Sequence, residues 1–184
     1  MVPDKVMFLY KFLNSPKKIG SVTPSSSFLS KSMLKNVKWD KVESFVELGA
    51  GTGAITAPIY DTMNPGTRGL IIEQDRIMRR QLNDRFPQLY FRPLAEELSI
   101  YLEELGMKQV DCIFSGLPFA NFSPSHRHQI LDEVIKCLKP GGQFIAFQYS
   151  LQMRAELLQH FDSVRLCFIP LNFPPAFVYC CIKK

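Results

Sequence analysis

The sequence lacks any apolar run that approaches a membrane span. Near its start the apolar stretches are residues 6–10 and 12–13, far short of the ~20 residues a span requires. No small-residue cleavage site follows them, so no signal peptide is expected. No Cys-x-x-Cys pair occurs among the five cysteines Cys112, Cys137, Cys167, Cys180 and Cys181. An odd count without such a pair reads as buried, reduced thiols of a cytosolic protein and excludes a disulfide framework. Cys180 and Cys181 are adjacent, which on a strand turns them to opposite faces. No cluster of His, Cys and carboxylates has ligand spacing, and no metal is expected. Repeats, heptads and low-complexity tracts are missing too, which excludes disordered, collagen-like and coiled-coil chains. Charge of one sign is scarce: 22 Lys and Arg face 17 Asp and Glu, a net +5. That balance permits an anionic partner without requiring one.

What is present is a 184-residue chain, 46% hydrophobic. It is long enough for one domain that buries about 70% of its unfolded surface without a covalent staple. Fifteen Phe point to an apolar pocket or surface. Short β-type runs at 44–48, 69–73, 89–92, 110–114, 143–148, 164–169 and 177–182 alternate with helical stretches at 55–63, 76–85, 95–105, 124–138 and 151–160. This alternation predicts an α/β fold with a parallel, doubly wound sheet. Only residues 170–175 separate the last two runs, too few for a helical crossover, so those strands pair antiparallel. Residues 1–40 stand outside the pattern as a helical extension to a domain at 41–184. In the extension, Val2, Val6, Leu9 and Leu13 share one helical face, and Lys5, Lys11, Lys17 and Lys18 supply a basic side, the make-up of an interfacial helix. Pro16 ends it. A second helix is expected over 28–36, capped by Ser25, Ser26 or Ser27.

Glu47-Leu48-Gly49-Ala50-Gly51-Thr52-Gly53 follows the first strand and opens a helix. Glycines there let backbone approach a ligand and offer N–H groups at a helix N-terminus. Glu73 ends the second strand, where a carboxylate can accept both hydroxyls of a ribose. Two readings compete: a nicotinamide enzyme, whose fingerprint the loop formally satisfies, or an S-adenosylmethionine (SAM) enzyme. The pattern E-x-G-x-G-x-G resembles motif I of class I methyltransferases, and Leu138-Lys139-Pro140-Gly141-Gly142 resembles their turn before strand five. The resemblance implies a Rossmann-like, seven-stranded, mostly parallel sheet with an antiparallel last strand, and SAM as cofactor.

The loop after strand four reads Ser115-Gly116-Leu117-Pro118-Phe119. Adenine N6 and rRNA dimethyltransferases carry N-I/L-P-Y/F there, and their Asn recognises the base. Here that position is Gly116. The sheet also ends the sequence, so the RNA-binding domain of the rRNA enzymes is not expected. Ser-Gly-Leu-Pro-Phe instead resembles the loop of bacterial phospholipid N-methyltransferases, which methylate phosphatidylethanolamine. Residues 19–26 are similar to that family's opening V-G-A-x-x-P-S-S segment, 147–149 to its aromatic end of strand five, and 172–179 to its N-x-P-P-A-x-V-Y turn. The resemblance covers about residues 8–180. It implies cofactor contacts from Glu47, Gly49, Gly51, Gly53, Glu73, Ser115 and Ser26, and substrate contacts from Gly116, Leu117, Pro118, Phe119 and Asn172. One position departs. The loop after strand three usually carries Asp-Ala, and here it is Leu94-Ala95. Either Glu96 replaces the acid from the next position, or Ala95 serves through its backbone.

Methyl transfer from a sulfonium needs a neutral amine lone pair about 3–3.5 Å from the methyl. Tyr149, His126 and Tyr10 are candidates to orient that amine or relay its proton, and the carbonyls of 115–117, with Ser115, can receive its hydrogen bonds. Asp111 starts its strand, on the opposite edge, and reads as structural. A phospholipid substrate gives the basic first helix a membrane to meet, with Lys17, Lys18, Lys31 and Arg127 facing lipid phosphates. The leading expectation is therefore a SAM-dependent phospholipid N-methyltransferase, cytoplasmic and peripheral on the inner membrane face, with no nucleic-acid partner. The alternatives are an adenine N6-methyltransferase, a small-molecule methyltransferase and a non-enzymatic SAM-fold protein. Oligomeric state is open.

Overall fold

A computed structural model of the chain describes residues 24–172 and 174–184. Seven strands, β1 (Ser44–Leu48), β2 (Arg68–Ile72), β3 (Tyr90–Arg92), β4 (Val110–Ser115), β5 (Leu138–Gln148), β6 (Ser163–Ile169) and β7 (Ala176–Ile182), form one sheet. Its order is β3-β2-β1-β4-β5-β7-β6. The β1 to β5 ladders are parallel, and β7 lies antiparallel between β5 and β6. The described helices are α1 (Pro24–Leu34), α2 (Thr56–Thr62), α3 (Arg76–Arg85), α4 (Leu98–Glu104), α5 (Pro124–Cys137) and α6 (Arg154–His160). The expected Rossmann-like, seven-stranded sheet is therefore present.

Strand periodicity divides the core in two. Val46, Leu48, Leu70, Ile72, Ile113, Phe144, Ala146, Tyr179 and Cys181 pack beneath α4, α5 and α6. Phe45, Ile71, Cys112, Phe114, Ile145, Ala176 and Val178 pack beneath α1, α2 and α3. α1 belongs to this second layer through Leu29, Met33 and Leu34, so residues 24–34 of the expected extension are laid against the sheet. Chain order reverses between β1 and β4, which opens a crevice at their carboxyl ends.

Several local expectations differ from the structure. β5 starts at Leu138, not 143. Val110 pairs with Leu138 but Cys112 with Gln143, a bulge, and Gly141 takes a φ of 75° within it. The Leu138–Gly142 turn is thus an irregular strand start. The helix expected over 95–105 opens as a 3₁₀ turn, Ala95–Glu97, and the one expected from 151 begins at Arg154. α1 starts at Pro24, which puts Ser25, Ser26 and Ser27 inside its first turn and not at its cap. Pro suits a first helical position because it has no N–H to lose. All five cysteines are free, but Cys167 is exposed, contrary to the expectation of burial. Cys180 and Cys181 face opposite layers as the strand requires. Burial pushes the Cys112, Cys137 and Cys181 thiols up to about 12. The basic helix of residues 2–18 lies outside the described residues.

Asp111 pins the amino edge of the sheet. Its Oδ2 accepts the N–H groups of Glu43 and Ser44, each at 3.0 Å, and its Oδ1 meets Lys139 Nζ at 2.7 Å. Burial opposes ionisation, but the Lys139 bond and the two backbone donors outweigh it and hold the carboxyl below its ordinary value. Asp111→Ala leaves the Glu43 and Ser44 N–H groups without their acceptor and is expected to cost about 2 kcal/mol at pH 7. A depressed carboxyl stabilises above its unfolded pKa of 3.8 and loses that contribution as pH falls through the folded value. Urea melts should therefore show the wild-type advantage at pH 7 shrinking below pH 3.8; a gap independent of pH would contradict this role.

Candidate active site

The glycine loop leaves β1 at the switch point. Gly49, Gly51 and Gly53 have φ of 75°, 56° and 85°, a region other residues rarely occupy. A Cβ at Gly49 would stand 2.8 Å from Leu117 Cδ2, and one at Gly53 would stand 2.6 Å from Leu82 Cδ2. Those two glycines let the loop approach the β4 loop and α3. A Cβ at Gly51 would meet nothing within 4 Å, so Gly51 borders open space. On its N–H side Gly51 is in direct contact with Glu73, buried at the end of β2, which accepts the Gly51 N–H at 2.6 Å with Oε2 and the Asp75 N–H at 2.8 Å with Oε1. Asp75 caps α3 by accepting from Ile77 and Met78.

Glu47 is the unusual group. Its side chain is fully buried. Oε2 accepts from Thr56 Oγ1 at 2.7 Å, and Oε1 has no donor among the described residues. Burial raises its pKa to about 7; the Thr56 bond opposes the rise and the nearby Glu73 charge adds to it. A buried carboxylate with one oxygen unpartnered is costly, so this position is built to receive a donor, best a cation.

The β4 loop is tightly held. Buried Ser115 accepts the Leu117 N–H at 3.2 Å with its hydroxyl, an ST turn. Leu117 O accepts Gln148 Nε2 at 2.8 Å and Phe119 N at 2.9 Å. Both its lone pairs are engaged, so that carbonyl is not available to an acceptor amine, contrary to one expectation. A Cβ at Gly116 would lie 2.9 Å from Gly49 O and 3.5 Å from the Phe147 ring, which leaves no room for an Asn there. Pro118 is half-buried. Phe119 is 1% exposed and packs edge-on to Phe122 and Phe144. It supports the loop from below, whereas a substrate-facing ring was expected.

Tyr149 and Asn172 come together. The phenol is hydrogen-bonded to the Asn172 side chain, and burial raises its pKa. Asn172 Nδ2 donates to Pro174 O at 2.7 Å. Phe147 packs edge-on to Tyr149 at 5.7 Å. Glu96 and His126, expected in separate roles, are paired with each other, and the His126 ring also lies on Phe122 at 4.8 Å. Leu94 leads into the 3₁₀ turn and Ala95 is buried within it. Arg127 is committed to Glu156, its Nε 2.7 Å from the carboxylate as a charge contact without a directed N–H. Lys31 lines a cleft of about 400 Å³ with Lys35, Trp39 and Asp61, beside the chain entering β1 and away from the acceptor loop. Tyr10, Lys17 and Lys18 lie outside the described residues, and Ser26 falls in the first turn of α1. Sequence reasoning missed Gln148 and Thr56. A polar residue ending a buried strand and a hydroxyl opening a helix were the available signals.

Residues 45–142 match a family model described as a methyltransferase domain. The chain belongs to that methyltransferase family. An ornithine lipid N-methyltransferase of Singulisphaera acidiphila is 34% identical, over 97% of this chain and 95% of its own. The N-methyltransferase NodS from Bradyrhizobium japonicum, solved with S-adenosylhomocysteine, has the same fold, with a TM-score of 0.76, 12% identity and 97% coverage of each chain. A Burkholderia thailandensis 1,6-didemethyltoxoflavin N1-methyltransferase, also solved with S-adenosylhomocysteine, superposes with a TM-score of 0.71 at 15% identity, over 100% of this chain and 91% of its own. The protein is a SAM-dependent methyltransferase.

The residues present fit that cofactor. Glu47 Oε1 is without a donor among the described residues and would suit an ammonium, Gly51 leaves space beside the backbone, and the Glu73 carboxylate beside the glycine loop would suit hydroxyl donors. Because its folded pKa lies above the usual 4.5, Glu47 stabilises the fold relative to an ordinary Glu only at low pH; that contribution is lost as pH rises from 4.5 through about 7. Glu47→Gln is therefore expected to raise the stability of the cofactor-free protein at pH 8 by about 1–3 kcal/mol. The same change should weaken SAM binding by at least about tenfold. Thermal melts and calorimetry check both signs; loss of stability with unchanged affinity would contradict the assignment.

Proposed function

We propose that the enzyme methylates the amine of a polar lipid, with phosphatidylethanolamine-type and ornithine-type headgroups as the acceptor class. The observation that carries this reading is the end-to-end 34% identity to a protein named as an ornithine lipid N-methyltransferase. The acceptor loop supports it. Gly116 has no room for the amide that reads adenine, and the Phe147 and Tyr149 rings beside the loop give the aromatic surface that suits an ammonium and its methylated products.

SAM, when bound, supplies an electrophilic sulfonium methyl. The chain's part is positioning and exclusion of water. Ser115 and Gln148 fix the loop, so its backbone does not adjust as the amine arrives. Tyr149 remains a neutral phenol, since burial raises its pKa. Its oxygen therefore accepts an N–H and orients the lone pair, and does not remove the proton. The amine loses its proton before attack. Glu96 holds the His126 ring beside Phe122, just after the acceptor loop, and in this proposal the ring passes that proton to solvent. On this reading the enzyme works at the inner face of a membrane, and the lysines of residues 2–18 add attraction to anionic lipid.

Labelled SAM offered with phosphatidylethanolamine, ornithine lipid, adenine-containing RNA and a panel of small amines decides the acceptor. Label is expected in the aminolipids. Tyr149→Phe is expected to lower kcat on them by about tenfold or more with SAM affinity unchanged. Label in RNA or small amines alone would overturn the proposal.

A further inference from the structure

We infer that the β6–β7 corner is the surface by which this enzyme seats on a lipid bilayer. The inference rests on the aminolipid reading above and names the interaction surface of that same site.

β6 is an edge strand. Edge strands are ordinarily blunted by charge, especially Lys. Here residues 163–182 contain a single charged side chain, Arg165, and no carboxylate. At the carboxyl end of this edge Phe168 is 54% exposed and Leu171, in the following turn, 63% exposed. Leu151 is 47% exposed and follows Tyr149 by two residues, while Leu171 precedes Asn172. The Tyr149–Asn172 bond therefore brings these two leucines to one corner. Phe28 joins from the other side of the sheet. Ser32 touches Cys167 of β6, and Phe28, 46% exposed, lies one helical turn back toward the carboxyl edge.

The corner leads into the site. Phe168 pairs with Phe177, their rings 5.1 Å apart, and Phe177 pairs with Gln148. All three side chains thus share one face of the sheet, and Gln148 holds the Leu117 carbonyl. A continuous row runs from exposed edge to acceptor loop. The turn itself suits a bilayer surface: Pro170, Pro174 and Pro175 carry no N–H that would have to be stripped of water. Charge fits as well. The exposed charges here are Arg154 and Arg165, both attracted to anionic lipid. A lipid whose headgroup must reach the acceptor loop from a bilayer would pass over Phe168 and Leu171.

The test is flotation of the full chain with vesicles of phosphatidylglycerol and phosphatidylcholine, which contain no acceptor amine. It is run at high salt so that lysine attraction is screened. Wild type should float, and the double variant Phe168→Gln, Leu171→Gln should partition at least about tenfold less. The variant should keep its kcat on a dispersed short-chain aminolipid and raise KM only on vesicles. Leu151→Gln is a second variant of lesser effect, and thermal melts certify that each is folded. Wild type that ignores the vesicles, or a folded double variant that floats equally well, overturns the inference even where aminolipids are methylated. Sedimentation showing a wild-type dimer that the double variant dissolves also overturns it, because a second copy would then cover the corner. Failure of wild type to label any aminolipid sinks the acceptor reading itself and is read in the separate labelling assay.

Discussion

The site is organised around a carboxylate that the fold buries but does not satisfy. Glu47 sits on β1 with one oxygen on Thr56 and the other without a donor among the described residues. Removing such a group from water is unfavourable, and the raised pKa expresses that cost. Everything around it makes the arrangement tolerable. Phe45, Val46 and Leu48 pack the strand on both faces, and Thr56 opens α2 at the place where its hydroxyl can reach. Glu73 approaches from β2 and is kept apart by its own backbone donors. A donor from a bound cation would resolve the imbalance, and in the proposed account that donor is the cofactor's ammonium.

The acceptor side follows another design. There the polar groups are already satisfied: Ser115 on Leu117, Gln148 on Leu117, Asn172 on Pro174. A loop whose hydrogen bonds are internal is held in place, and in the proposed function it would recognise its acceptor by shape and by the Phe147 and Tyr149 rings. The two loops meet through glycines, Gly49 beneath Leu117 and Gly116 beneath Gly49 O. A side chain at either place would separate the cofactor loop from the acceptor loop. Closeness of the two half-sites, which methyl transfer requires, is therefore a backbone property.

Much of this was legible in the sequence because it is local. The strands and the glycine loop are set by short-range pattern, and Asp111 showed its structural role by its place at a strand start. Other features depend on what the fold brings together. The bulge at Leu138–Gly142 looked like a turn because Pro140 and two glycines are turn residues; pairing with Lys183 draws it into the sheet. Glu96 and His126 lie 30 residues apart, and only the meeting of the 3₁₀ turn with α5 joins them. Phe119 looked like a substrate ring because its motif neighbours were right, yet the 3₁₀ turn Phe119–Asn121 directs it into the core. Gln148 was hidden because its partner is a carbonyl, which sequence does not display.

The most direct measurement of the central claim is the proton count on cofactor binding. It is obtained by titrating SAM into the protein at pH 7 in buffers of different ionisation enthalpy. Burial raises the Glu47 pKa to about 7, and a bound ammonium would favour its ionised form, so binding is expected to release a fraction of a proton. The Glu47→Gln variant should lose that release. Equal proton counts in wild type and variant would contradict the view that Glu47 is the cofactor's buried counter-charge.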